Sequence, residues 1–87
     1  MMTLADSITN SLASLSPTTL DITDESGQHL GHAGYRPGGS HFRVDIVSAR
    51  FAGKSRIERH RMVYAALGPV MQDVHALAIN ARTPDEL

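Results

Sequence analysis

Seven consecutive residues constrain this chain more than anything else in it: in His41-Phe42-Arg43-Val44-Asp45-Ile46-Val47, apolar Phe42, Val44 and Ile46 alternate with polar His41, Arg43 and Asp45. Period-two alternation is the signature of a strand with one face buried and the other in water. Such a strand obliges the rest of the chain to cover its apolar face, and two segments have the spacing to do so. Leu4, Ile8, Leu12 and Leu15 recur at helical intervals behind the capping-box pair Thr3 and Asp6, until Ser16-Pro17 stops the pattern; this predicts a helix over 4–15. Ile57, His60, Val63, Tyr64 and Leu67 fall within about one third of a helical wheel, which predicts a second helix over 55–67 with that arc buried. Gly68-Pro69 ends or kinks it, because proline lacks the N–H and its ring meets the carbonyl of Ala65.

Two further strands complete the pattern. Leu20 and Ile22 alternate with polar neighbours over 19–24 and run into the turn residues Asp24-Glu25-Ser26-Gly27. Val74 to Ile79 is an apolar run whose parity groups His75 with Leu77 and Ile79. A strand reached through a helix is expected to lie parallel to its neighbour by a right-handed crossover. The expected fold is therefore α+β in the order αββαβ, a three-stranded mixed sheet with both helices on one face. At 87 residues the chain holds enough apolar surface for one core, so residues 1–87 are expected to form a single domain, with the glycine-rich stretch from Gly31 to Gly39 as a loop within it.

Several function classes are excluded by composition. The chain has no cysteine, so it has no disulfide, no thiolate nucleophile and no metal site built from its own sulfur. The first fifteen residues carry Asp6 and no Lys or Arg, unlike a secretory or mitochondrial leader, and no apolar run approaches the roughly 20 residues that span a bilayer. A soluble, cytoplasmic protein with no membrane partner is expected. Seven of the eight Lys and Arg residues lie between Arg36 and Arg61, which makes that segment +5 while the flanking segments are acidic.

The chemical resource is five histidines, at positions 29, 32, 41, 60 and 75. His60 lies on the predicted buried arc of the second helix and reads as a hydrogen-bonded boundary residue. His41 opens the outward face of the clearest strand and also reads as structural. His29 and His32 sit on the loop, where binding residues concentrate and where polar residues are also merely solvated. His75 opens an otherwise apolar strand, where an imidazole costs free energy unless it reaches water, a hydrogen bond or a metal; it is the best single candidate. No phosphate-binding glycine signature, nucleophile elbow, HExxH or acid-base carboxylate pair is present, so no enzyme activity is expected.

Taken in order, Asp24-Glu25-Ser26, His29, Ser40-His41-Phe42-Arg43-Val44, Ile46-Val47-Ser48, Phe51-Ala52-Gly53, Arg59-His60-Arg61, Val74-His75-Ala76-Leu77 and Thr83-Pro84-Asp85-Glu86 resemble the BolA family over residues 20–86. The resemblance implies a type II KH-like αββαβ fold, which agrees with the reading from periodicity. It also implies a non-enzymatic iron-sulfur adaptor that binds a monothiol glutaredoxin and shares a 2Fe-2S cluster with it and with glutathione, for iron sensing or cluster transfer. No cofactor is then bound by the chain alone, and the free protein is expected as a monomer or weak homodimer. In the family one ligand is the histidine matching His75 and another comes from the loop between the first two strands. His29 matches that loop position best, and His32, in the additional Gly31-His32-Ala33-Gly34, is the alternative.

The resemblance carries a second function, since family members are also described as transcriptional regulators. DNA would then be met by the basic face of the second helix, through Lys54, Arg56, Arg59 and Arg61. Against it stand the few aromatics and a pI near 6.5.

Overall fold

The computed structural model describes residues 2–25 and 40–87, in which the order of elements is α1 (Leu4–Leu12), β1 (Thr19–Asp24), β2 (His41–Val47), α2 (Arg56–Leu67) and β3 (Ala76–Arg82). The three strands form one sheet in the order β1-β2-β3, with β1 antiparallel and β3 parallel to β2. The α+β architecture and the mixed sheet are those expected from periodicity. Register stacks the apolar side chains in rows across the sheet, Leu20 with Ile46 and Ala81, and Ile22 with Val44 and Ile79. Ile8, Leu12 and Leu15 from the first helical segment and Val63 and Leu67 from α2 close over these rows, with Phe51 fully buried among them.

The local reasons are visible at each helix end. Thr3 accepts from the Asp6 N–H and Asp6 accepts from the Thr3 N–H, the reciprocal box read from sequence, and this holds the Asp6 carboxyl below its ordinary range. α1 tightens into a 3-10 turn over Ala13–Leu15, so its last apolar residue still reaches the core. Ser55 and Glu58 form a second capping box at the start of α2. Gly68 ends α2 with φ at 53°, a left-handed conformation that favours glycine, and Pro69 opens a 3-10 turn over Gly68–Asp73 that leads to β3.

Two expectations are corrected. The arc of α2 assigned to the core contained Ile57 and Tyr64, yet these are 64% and 43% exposed; Val63 and Leu67 are buried with Met62 and Ala66 packed beside them. The helix is rolled so that the side of Arg59 faces the protein: its guanidinium donates to the carbonyls of Lys54 and Ala81 and to both carboxylate oxygens of Glu86, and only 13% of its side chain is exposed. A hydrophobicity wheel weights Ile57 and Tyr64 by type and cannot anticipate an arginine that is fixed by acceptors at the other end of the chain.

The third strand is also displaced, running over Ala76–Arg82 instead of 74–79. Val74 is buried just ahead of the strand, whereas Asn80 and Arg82, beyond the expected end, remain in the ladder opposite Asp45 and Val47. The Asn80 amide donates to the Asp45 carboxylate at 3.1 Å, which satisfies the polar side chains on the open face of the sheet. Among the described residues no helix is long and apolar enough to cross a membrane.

Candidate functional site

The start of β2 and the start of β3 lie side by side, because the parallel register places His41 opposite Ala76. Ser40 fastens this end. Its hydroxyl donates to the Asp73 carbonyl at 2.6 Å and accepts from the His75 N–H at 3.1 Å, while its carbonyl accepts from the N–H groups of both His75 and Ala76. The chain therefore bends at His75 before the ladder begins. His75 does not share the apolar face of Leu77 and Ile79 as strand parity implied; it is exposed, and its ring lies against that of His41, with centroids 4.9 Å apart and planes tilted by 44°.

His41, read from sequence as structural, is thus the immediate neighbour of the preferred candidate. Sequence separation of more than thirty residues hides the pair, and the only cue is that both open strands that are adjacent in a parallel crossover. The same end of the sheet receives the connection between β1 and β2. The Glu25 N–H donates to the His41 carbonyl at 2.7 Å, and the Glu25 carboxylate meets the Arg43 guanidinium at 3.2 Å. Both attachment points of that connection, Glu25 and Ser40, therefore adjoin the histidine pair. His29 and His32 lie outside the described residues.

Imidazole is a borderline donor that suits iron, zinc, copper and nickel, and an exposed ring at a strand end can reach a metal without desolvating the core. Among the described residues no group of three or more His, Asp or Glu side chains is placed to hold a metal ion. A metal at this end therefore takes at most the two neighbouring imidazoles from the described part of the chain. The rest of its shell must come from elsewhere. Imidazole can replace thiolate at one iron in iron-sulfur clusters of mixed ligation, and the exposed ring of His75 is a donor of that type.

The basic residues gather at the opposite end of β3. A groove of about 460 Å³ runs between the start of α2 and the end of β3, lined by Lys54, Arg56, Arg59, His60, Asn80, Arg82 and Glu86 among others. It brings together three of the four basic residues singled out from sequence and adds Arg82, but Arg61 is not part of it. Arg59 is engaged structurally: its hydrogen bonds, first, and that of the Thr83 N–H, second, hold the Glu86 carboxyl down to about 2, and Glu86 in turn raises the Arg59 guanidinium further. The Arg59 to Glu86 pairing was not foreseen, and the turn sequence Thr83-Pro84-Asp85-Glu86 was its only sequence signal.

The family model described as BolA-like protein matches residues 12–86. Human BolA-like protein 1 is 51% identical over 71 residues, which cover 80% of this chain and 50% of that protein, so the chain spans half the length of that relative. Among solved structures, BolA1 from Arabidopsis thaliana aligns with a TM-score of 0.84 at 35% identity, covering 100% of this chain and 99% of that one. The BolA domain of SufE1 from the same plant aligns with a TM-score of 0.83 at 38% identity, again over 100% and 99%.

Proposed function

The chain belongs to the BolA-like protein family, and from that premise we propose that it is a non-enzymatic iron-sulfur adaptor that shares a 2Fe-2S cluster with a monothiol glutaredoxin. The observation that carries this reading is His75, an exposed imidazole at the open end of a parallel strand pair, beside the attachment points of the loop that bears His29 and His32. His75 supplies one ligand and a loop histidine the other, His29 by preference and His32 as its alternative. The glutaredoxin cysteine and a glutathione thiolate hold the second iron.

The chemistry suits a transient role. Substituting imidazole for thiolate removes negative charge from the cluster and raises its reduction potential, and ligation requires the neutral ring, so a cluster held this way is released as pH falls. With no cysteine in the chain, the partner and glutathione provide every sulfur ligand. The absence of a recognisable nucleophile or acid-base pair in the sequence supports a role without catalysis of its own.

The test is to mix the purified chain with cluster-loaded monothiol glutaredoxin and glutathione, and to record visible absorption and circular dichroism for wild type, His75→Ala, His29→Ala and His32→Ala. A changed cluster spectrum that disappears in His75→Ala is expected, with the sensitive loop variant naming the second ligand. An unchanged spectrum on mixing defeats the proposal. The groove lined by Lys54, Arg56, Arg59 and Arg82 supports a second reading, direct binding of DNA. That reading expects duplex affinity that survives His75→Ala, falls steeply with salt through counterion release, and is weakened by Lys54→Ala and Arg56→Ala.

A further inference from the structure

We infer that His41 and His75 together form a binding site for a single divalent transition-metal ion on this chain alone, with two imidazole donors and the remaining positions open to water. The inference rests on the geometry of the pair and does not require the shared-cluster reading. Two imidazoles on one ion are held apart by the metal. With metal–nitrogen bonds of about 2.0–2.1 Å, ring centres roughly 1.2 Å farther out and ligand angles of roughly 90–109°, their centroids lie about 4.5–5.3 Å apart. The rings of His41 and His75 are 4.9 Å apart, inside that range, and a tilt of 44° sets them apart from a face-to-face stack.

The pair is also held in place from behind. His41 is the first residue of β2, with its carbonyl accepting from Glu25, and the backbone at His75 is tied twice to Ser40. Neither ring needs a large backbone movement to share an ion. A ring nitrogen that accepts a metal leaves the other free to hydrogen-bond, so a partner on either histidine orients the donor instead of competing with it. Among the described residues only two donors come from this end of the sheet, which makes the site open and exchangeable. Imidazole donors select zinc, cobalt, nickel and copper over magnesium and calcium.

Cobalt(II) chloride, titrated into the purified chain without glutaredoxin or glutathione, tests this by visible ligand-field absorption, with zinc(II) competition confirming the site. One saturating equivalent is expected. His41→Ala and His75→Ala should each weaken binding by about tenfold or more, a ligand costing at least as much as the groups that orient one. The double variant His29→Ala/His32→Ala should keep saturable binding. His41→Gln and His75→Gln, with far-ultraviolet circular dichroism recorded for each, guard against loss of fold and should repeat the loss of metal. Absence of saturable binding, or affinity unchanged by removal of either His41 or His75, overturns the inference. The two readings separate cleanly: cobalt binding with no spectral change on mixing with loaded glutaredoxin keeps the ion site and defeats the adaptor, and a His75-dependent cluster change without cobalt binding does the reverse.

Discussion

The two ends of the parallel pair β2 and β3 are built from similar residue types and held to different degrees. At the end where β3 finishes, Ser48 is fully buried, donates to the Leu15 carbonyl at 2.6 Å and receives the Arg50 N–H, while its own N–H donates to the Arg82 carbonyl. Phe51 fills the core beneath, and Arg59 and Glu86 lock the C-terminal turn onto α2. At the end where β3 starts, His75 is exposed and His41 half-buried, their backbones are fixed by hydrogen bonds and their rings lie against each other. Polar residues that are fully enclosed in hydrogen bonds stabilise a fold; polar residues that keep part of their surface in water remain accessible to ligands.

The sharpest way to break this contrast is to damage the enclosed end. Phe51→Ala should destabilise the protein by about 3–5 kcal/mol, measured by denaturant unfolding, since it combines lost burial with a cavity. Ser48→Ala should cost about 1–3 kcal/mol, because it leaves the Leu15 carbonyl and the Arg50 N–H without their buried partner. A value near zero for Ser48→Ala would show that this end is not enclosed in solution.

The acid limb of stability tests the Arg59 to Glu86 lock. The folded carboxyl of Glu86 sits at about 2, against 4.5 for a free glutamate, so the unfolded chain takes up the proton first. Its contribution is complete above about pH 4.5 and is lost as pH falls towards about 2. Glu86→Gln should flatten part of that limb while Asp6 and Glu58, whose carboxyls are also held down by their caps, keep the remainder. An identical limb in wild type and Glu86→Gln would remove the lock from the account.

The open end should respond least in stability. Ser40→Ala should cost about 1 kcal/mol through the lost tie between Ser40, Asp73 and His75. His75→Ala should change stability by less than about 0.5 kcal/mol, as exposed substitutions away from packed features do. The same His75→Ala variant should lose the cluster-dependent spectrum and the cobalt site. A large stability loss in His75→Ala would make the histidine part of the fold and erase the difference between the two ends.

Much of the fold was legible because burial leaves a period in the sequence. The alternation of Phe42, Val44 and Ile46, the helical spacing from Leu4 to Leu15, the Thr3 and Asp6 cap and the stop at Gly68-Pro69 all act over a few residues, and each appears where expected. The roll of α2 and the extent of β3 were not legible, because both depend on partners distant in the chain: Arg59 on Glu86 and the Ala81 carbonyl, Asn80 on Asp45. The candidate site divides the same way. His75 was recognisable as an imidazole in an apolar strand, but His41 was an ordinary outward-facing residue until the parallel register set it beside His75.

By itself the sequence determined the order αββαβ, the apolar faces of α1 and β2 and the histidine that stands out from its surroundings, since propensity, capping and hydrophobic period are properties of neighbours in the chain. Tertiary structure alone decided which face of α2 is buried, that Ser40 bends the chain outward at His75, and that two histidines meet across β2 and β3. Those outcomes are set by hydrogen bonds and contacts between residues far apart in sequence, and no local pattern encodes them.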